Sequence, residues 1–197
     1  MDMPAKDLPL AEKIRECQEE CGNSASGYTE IQSVIGCKKE KYHYYSQALH
    51  NPQEGVLYFS IIRDLFDNSI VSDKTSMTQN VQLVLETIKD AKRKEKVTGE
   101  LQFHSNQGFQ YTSNQYFNLT QSYNILQSMS RRGNPYDNAL AENFFSILKT
   151  ECIYRVKLKT YDEARLLISQ YIEFYNNQCI QFKTKLTPPE KRSQYIA

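Results

Sequence analysis

The chain has no tryptophan among its 197 residues and no strong excess of either charge. It also lacks any apolar run approaching the roughly 20 residues that a membrane-crossing helix needs. The last absence excludes a spanning segment. The N-terminal stretch MDMPAKDLPLAEK is too charged for a secretory signal, so the cytoplasm is the expected setting. A net charge of +1 argues against a uniformly basic nucleic-acid binder. The five cysteines are odd in number and lack framework spacing, which suits a reducing compartment. Cys17, Cys21 and Cys37, with His43 nearby, match no zinc finger or ribbon. Cys17 and Cys21 stand one helical turn apart and read as buried helix thiols.

What is present is ordinary for a globular protein: 40% hydrophobic residues, 24% charged, and many Tyr and Phe. The length allows one compact domain with a short N-terminal appendage. Charge is distributed unevenly. Residues 1–50 carry six Lys/Arg against eight Asp/Glu, whereas residues 131–197 carry eleven against seven. Phosphate contacts would fall in the last third, although scattered solvated lysines give the same count.

Periodicity predicts an amphipathic helix over residues 7–21 and a short one over residues 29–35. From Val56 the pattern is regular. VLYFSIIRD and SIVSDKT read as a strand hairpin, and Met77–Lys94 as a helix with Val81, Val84, Leu85 and Ile88 on one face. LQFHS is a strand, Thr112 or Ser113 caps a helix to about Tyr123, and ILQSMS is another strand. Asp137 can cap a helix running to about Ile153, and a last helix covers Tyr161–Asn177. The alternation predicts a mixed α/β sheet flanked by helices.

Two segments carry chemistry, HSNQGFQYTS (104–113) and SRRGNPYDNALAENFFSILKTE (130–151), with 35 residues between Asn106 and Glu142. Together with YNNQCIQFKTKLTPPEKR near the end, they make the chain resemble insertion-sequence transposases of the DDE and retroviral-integrase superfamily, in particular second-reading-frame products. The likeness runs from Val56 to Ala197. It implies a ribonuclease-H-like integrase catalytic core over residues 51–197, preceded by a residual, truncated helix-turn-helix-like module over 1–50. It also implies metal-dependent DNA cleavage and strand transfer with Mg²⁺ or Mn²⁺, DNA as partner, and homo-oligomers or co-assembly with an intact transposase.

Two hard cations about 3.5–4 Å apart need several carboxylates. Matched by residue, Glu142 falls on the family's glutamate and Asn106 on its second aspartate. Counting back from Gly55 puts Ser46 on the first. KYHYYSQALH resembles a segment found well upstream in intact members, so the first core strand is expected to be missing, or replaced by YHYYSQAL. Two of three carboxylates are thus lost, leaving a weakened metal site of Glu142 and Asn106 and a chain expected not to cut. The other reading is a truncated product that binds DNA or inhibits transposase without catalysis. Arg131, Arg132, Asn138, Lys149 and Lys157 are the candidate DNA contacts, with Lys159 beside them, and Cys179 stands where relatives carry Arg. Asp64 and Asp67 are expected to be solvated turn carboxylates.

Overall fold

The structure, a computed structural model, describes residues 40–51, 55–95, 100–130 and 139–194, and side-chain surroundings over 55–95, 100–130 and 143–194. Both helices expected before residue 40 lie outside the described residues, as does Asp137. Among the described residues the sheet has five strands: β1 (Glu40–Asn51), β2 (Gly55–Asp64), β3 (Ile70–Ser76), β4 (Leu101–Ser105) and β5 (Ile125–Met129). Their spatial order is β3-β2-β1-β4-β5. β1, β2 and β3 form an antiparallel meander, while β4 and β5 run parallel to β1.

Of the two alternatives for the first core strand, replacement is what the structure shows. YHYYSQAL lies within β1, at the centre of the sheet. β1 pairs with β2 from Tyr42↔Asp64 to Asn51↔Gly55 and with β4 from Glu40↔Leu101 to His43↔His104. The sheet therefore starts at Glu40, inside the stretch expected to form the N-terminal module.

Alternation along β2 divides the core between the two faces, as the two-residue period of a strand requires. Leu57, Phe59 and Ile61 join Phe144, Phe145, Leu148, Ile168 and Tyr171, contributed by helices α3 (Ala139–Glu151) and α4 (Tyr161–Asn177). Ile62 instead meets Val84, Ile88, Phe103 and Tyr116, from β4 and helices α1 (Val81–Lys94) and α2 (Asn114–Ser122). On that face the Ser60 and Thr87 hydroxyls lie 2.8 Å apart, so the polar positions of β2 are satisfied.

α1 starts at Val81 rather than Met77. The Asn80 side chain accepts from the Leu83 N–H at 3.0 Å and ends the extended segment there, leaving Met77 exposed. Its basic last turn has a partner as well as the helix dipole. Asp90 is buried and accepts from Ser72 at 3.0 Å, with Lys94 at 2.8 Å and Arg93 also in contact. Burial opposes the Asp90 charge, but Lys94 and Ser72 outweigh it and hold the carboxyl below its usual value.

Asp64 and Asp67 are not solvated, contrary to expectation. Both are buried at the β2–β3 turn, where Arg192 bonds Asp64 at 3.0 Å and Asp67 at 2.6 Å and reaches Glu95 at 3.3 Å. Their remaining oxygens cap the turn, Asp64 accepting from the Phe66 N–H and Asp67 from the Ser69 N–H. Arg192 lies on α5 (Pro188–Ser193), a helix opened by a Thr187/Glu190 capping box with proline in its first turn. The expectation failed because only α5 brings the cation, from more than 120 residues away in the chain.

Arg192→Ala leaves two buried carboxylates without their cation. It is expected to cost about 2–3 kcal/mol in urea denaturation, less than a fully buried pair because the guanidinium is 35% exposed. Glu151, at the end of α3, accepts from the Tyr171 hydroxyl at 2.9 Å, and burial holds its carboxyl above the usual value. The charged form is therefore disfavoured in the folded state. Its contribution to stability is full below the unfolded-state pKa and is lost as pH rises through the folded one. Glu151→Gln should accordingly raise the melting temperature at neutral pH, with the gain vanishing near pH ~4; a pH series of thermal melts checks both halves.

Candidate active-site end of the sheet

β4 ends where its hydrogen bonding passes to side chains. His104 contacts two hydroxyls of the neighbouring strand end, Ser128 Oγ from Nδ1 and Ser130 Oγ from Nε2, each at 3.0 Å. The Ser130 N–H also donates to the Ser105 carbonyl at 2.9 Å. The ends of β4 and β5 are thus fastened together just before the chain leaves both strands. The sequence marked His104 only as a strand end. The alternation in QSMS that places two hydroxyls on one face was the signal for its role.

Past Ser105 the chain turns on Asn106. Its Oδ1 accepts from the Gly108 N–H at 2.9 Å, an Asx turn. A methyl group at Gly108 would stand 2.9 Å from Gln110 Oε1 and 3.0 Å from Asn106 Oδ1, so a larger residue would have to displace these side-chain ends. Gln110 and Tyr111 are buried beneath this turn, and Ser113 accepts from the Tyr116 N–H to start α2. Burial pushes the Tyr116 phenol up to about 12, although the Ser105 hydroxyl beside it favours ionisation. That hydroxyl is itself buried, outside normal hydrogen-bond geometry with any neighbour.

Register fixes what stands opposite. The β1–β4 ladder reaches His43↔His104. Continued in step, it sets Tyr45 beside Asn106, with Ser46 next along β1. Glu40 is the one acid in β1 and pairs with Leu101, five residues before Asn106, about 16 Å away along the strand. α3, which carries Glu142, lies against β1.

Comparison with known proteins agrees with this arrangement. Integrase core domain family models match residues 41–135 and 142–196. The InsK protein of insertion sequence element IS150 of Escherichia coli is 39% identical over 70% of this chain and 49% of its own length. A transposase-like protein of Haemophilus influenzae is 38% identical over 73% of this chain and 66% of its own. The transposase for insertion sequence element IS904 of Lactococcus lactis is 39% identical over 64% and 49%. This chain belongs to the insertion-sequence transposases of the DDE and integrase superfamily.

It spans about half to two thirds of the length of these relatives. The transposase fold is that of retroviral integrase cores. The HTLV-2 integrase catalytic core domain, in complex with magnesium, superposes with a TM-score of 0.60 at 13% identity, covering 76% of this chain and 93% of that one. The BIV integrase catalytic core gives 0.58 at 16%, covering 79% and 96%.

Among the described residues, no cluster of acids is placed to hold the pair of divalent cations that the family implies. Hard cations take negatively charged oxygens. Asn106 offers one neutral oxygen, already engaged by the Gly108 N–H, and an NH₂ group that repels a cation. Three described acids of the hairpin are committed elsewhere. Asp64 and Asp67 hold Arg192. Asp73, on β3, is two strands from β1, and burial keeps its carboxyl above the usual value against the pull of Lys94 and Lys74.

Of the candidate DNA contacts, Lys149 is half-buried on α3, while Lys157 and Lys159 are exposed between α3 and α4. Arg131, Arg132, Asn138 and the Glu142 side chain lie outside the described residues. Cys179 packs against the aromatic cluster of α3 and α4.

The Asx turn gives residue 106 a structural task separate from metal binding. Asn106→Asp retains the acceptor for the Gly108 N–H and should melt within ~0.5 kcal/mol of the parent. Asn106→Leu removes it and should cost about 1–2 kcal/mol in the same measurement.

Proposed function

We propose that this chain is a transposase-family protein of DNA transposition that engages DNA without cutting it. The observation that carries the reading is Asn106. At the end of β4 an amide tied into its own turn stands where the family pattern has a carboxylate, and β1 carries no acid beyond Glu40. Glu142 alone cannot neutralise two Mg²⁺ or Mn²⁺ ions. The scaffold around it is continuous nonetheless, with β1 hydrogen-bonded on both sides and a core on each face of the sheet. DNA would be held by Arg131, Arg132, Asn138, Lys149 and Lys157, contacts to phosphate that position rather than specify. The remnant N-terminal module, expected over residues 1–50, would lie ahead of this core, with Glu40–Asn51 given over to β1.

The complete sheet favours a second reading. A folded core without catalysis can co-assemble with an intact transposase, or occupy DNA ends in its place, and so inhibit it.

Strand transfer on a radiolabelled element-end oligonucleotide with Mg²⁺ or Mn²⁺ tests the proposal. No product is expected from the chain as it stands or from Asn106→Asp alone. Ser46→Asp combined with Asn106→Asp is the smallest change expected to yield product. Joining by the unaltered chain, or rescue by Asn106→Asp alone, overturns the assignment of the lost ligands.

A further inference from the structure

At the end of the sheet away from Asn106, two exposed phenylalanines stand on neighbouring turns, each beneath a lysine. Phe182 is 71% exposed, and Lys185 Nζ lies 4.1 Å from its ring centre. Phe66, in the β2–β3 turn, is 41% exposed, and Lys191 Nζ lies 5.2 Å from its ring centre while also donating to the Phe66 carbonyl. Ile180 adds a further exposed apolar side chain, at 62%.

The turns are rigidly joined. Gln181 closes the loop that carries Phe182, its N–H donating to the Leu186 carbonyl at 3.0 Å and its carbonyl accepting from the Lys185 N–H at 2.8 Å. Its side chain ties that loop to the hairpin, donating to the Asp67 carbonyl and accepting from Asn68 Nδ2 at 2.7 Å. Lys185 holds a left-handed φ of 56° to complete the turn. Folding leaves the Phe182 ring largely and the Phe66 ring partly in water although the backbone beneath them is fixed, so their exposure is not a consequence of a loose loop.

The charge around them is one-sided. No acid occurs between Glu173 and Glu190, while Lys183 and Lys185 are exposed. Glu190 is engaged in the α5 capping box, and Asp64 and Asp67 are buried against Arg192. Flat aromatic faces beside ammonium groups suit a partner with alternating aromatic and anionic groups.

We propose that this surface binds an unpaired nucleic-acid strand, with bases on Phe182 and Phe66 and phosphates on Lys183, Lys185 and Lys191. A duplex hides its base faces, so the rings would discriminate for single strand. The proposal rests on the DNA-binding reading above but concerns a different part of the molecule.

Fluorescence anisotropy with a labelled oligothymidylate and a duplex of equal length, on the full chain, tests it. Phe182→Ala, at a surface position where a thermal melt confirms folding, is expected to weaken single-strand binding on the order of tenfold and leave duplex binding unchanged. Lys183→Ala with Lys185→Ala should weaken it too and flatten its salt dependence. Equal effects of Phe182→Ala on both probes, or none on either, would overturn the proposal. So would equally tight capture of an oligoglutamate peptide, which would make the surface a protein-docking site. Duplex binding with no single-strand binding refutes this surface alone, whereas binding of neither probe refutes the DNA-binding reading as well.

Discussion

The central position of β1 is the constraint on which the rest of the domain depends. A strand in that place must satisfy hydrogen bonds along both edges, antiparallel to β2 and parallel to β4. Without it β2 and β4 would each present a bare edge in the middle of the molecule. The two cores lie on opposite faces of this sheet and close only if it is continuous. β1 also sets the register between the end of β4 and the strand beside it, which decides which side chains can share an ion.

The two ends of the sheet are held by different devices. At the Asn106 end, side chains take over where ladders stop: His104 between two serine hydroxyls, and an Asx turn closed on the Gly108 N–H. At the hairpin end, a single guanidinium gathers three carboxylates and joins α5 to the β2–β3 turn. The first device is local in sequence, spanning 26 residues or fewer. The second is long-range, and burial of its aspartates is tolerable only because the cation arrives from elsewhere.

This difference in range explains what could be read from the chain. The hairpin, the LQFHS strand, the Ser113 cap and the helix over 161–177 carry their signals within ten or so residues, and they stand where they were expected. The likeness around HSNQG and YDNALAEN pointed to the candidate site and to Asn106 as a departure from the family pattern. Burial of Asp64 and Asp67 was not legible, since a carboxylate in a turn looks solvated until its distant partner is known. The Thr187-Pro-Pro-Glu190 cap of α5 was there to be read as a helix start, though nothing local tells what α5 packs against. The role of YHYYSQAL rested on pairing with strands that follow it, and pairing has no local signature beyond tolerance of extended backbone.

Arg192 also has a consequence in time. During synthesis Asp64 and Asp67 emerge more than 120 residues before the cation that makes their burial affordable. Until the ribosome has released α5, the β2–β3 turn must keep both carboxylates in water, and the hairpin cannot settle into its final seat. Completion of the domain is thereby postponed until α5 has been made, the slow regime expected for contacts of high sequence separation. A nascent chain stopped short of Arg192 would carry most of its hydrophobic core and still be unable to lock it, a state suited to capture by chaperones or proteases.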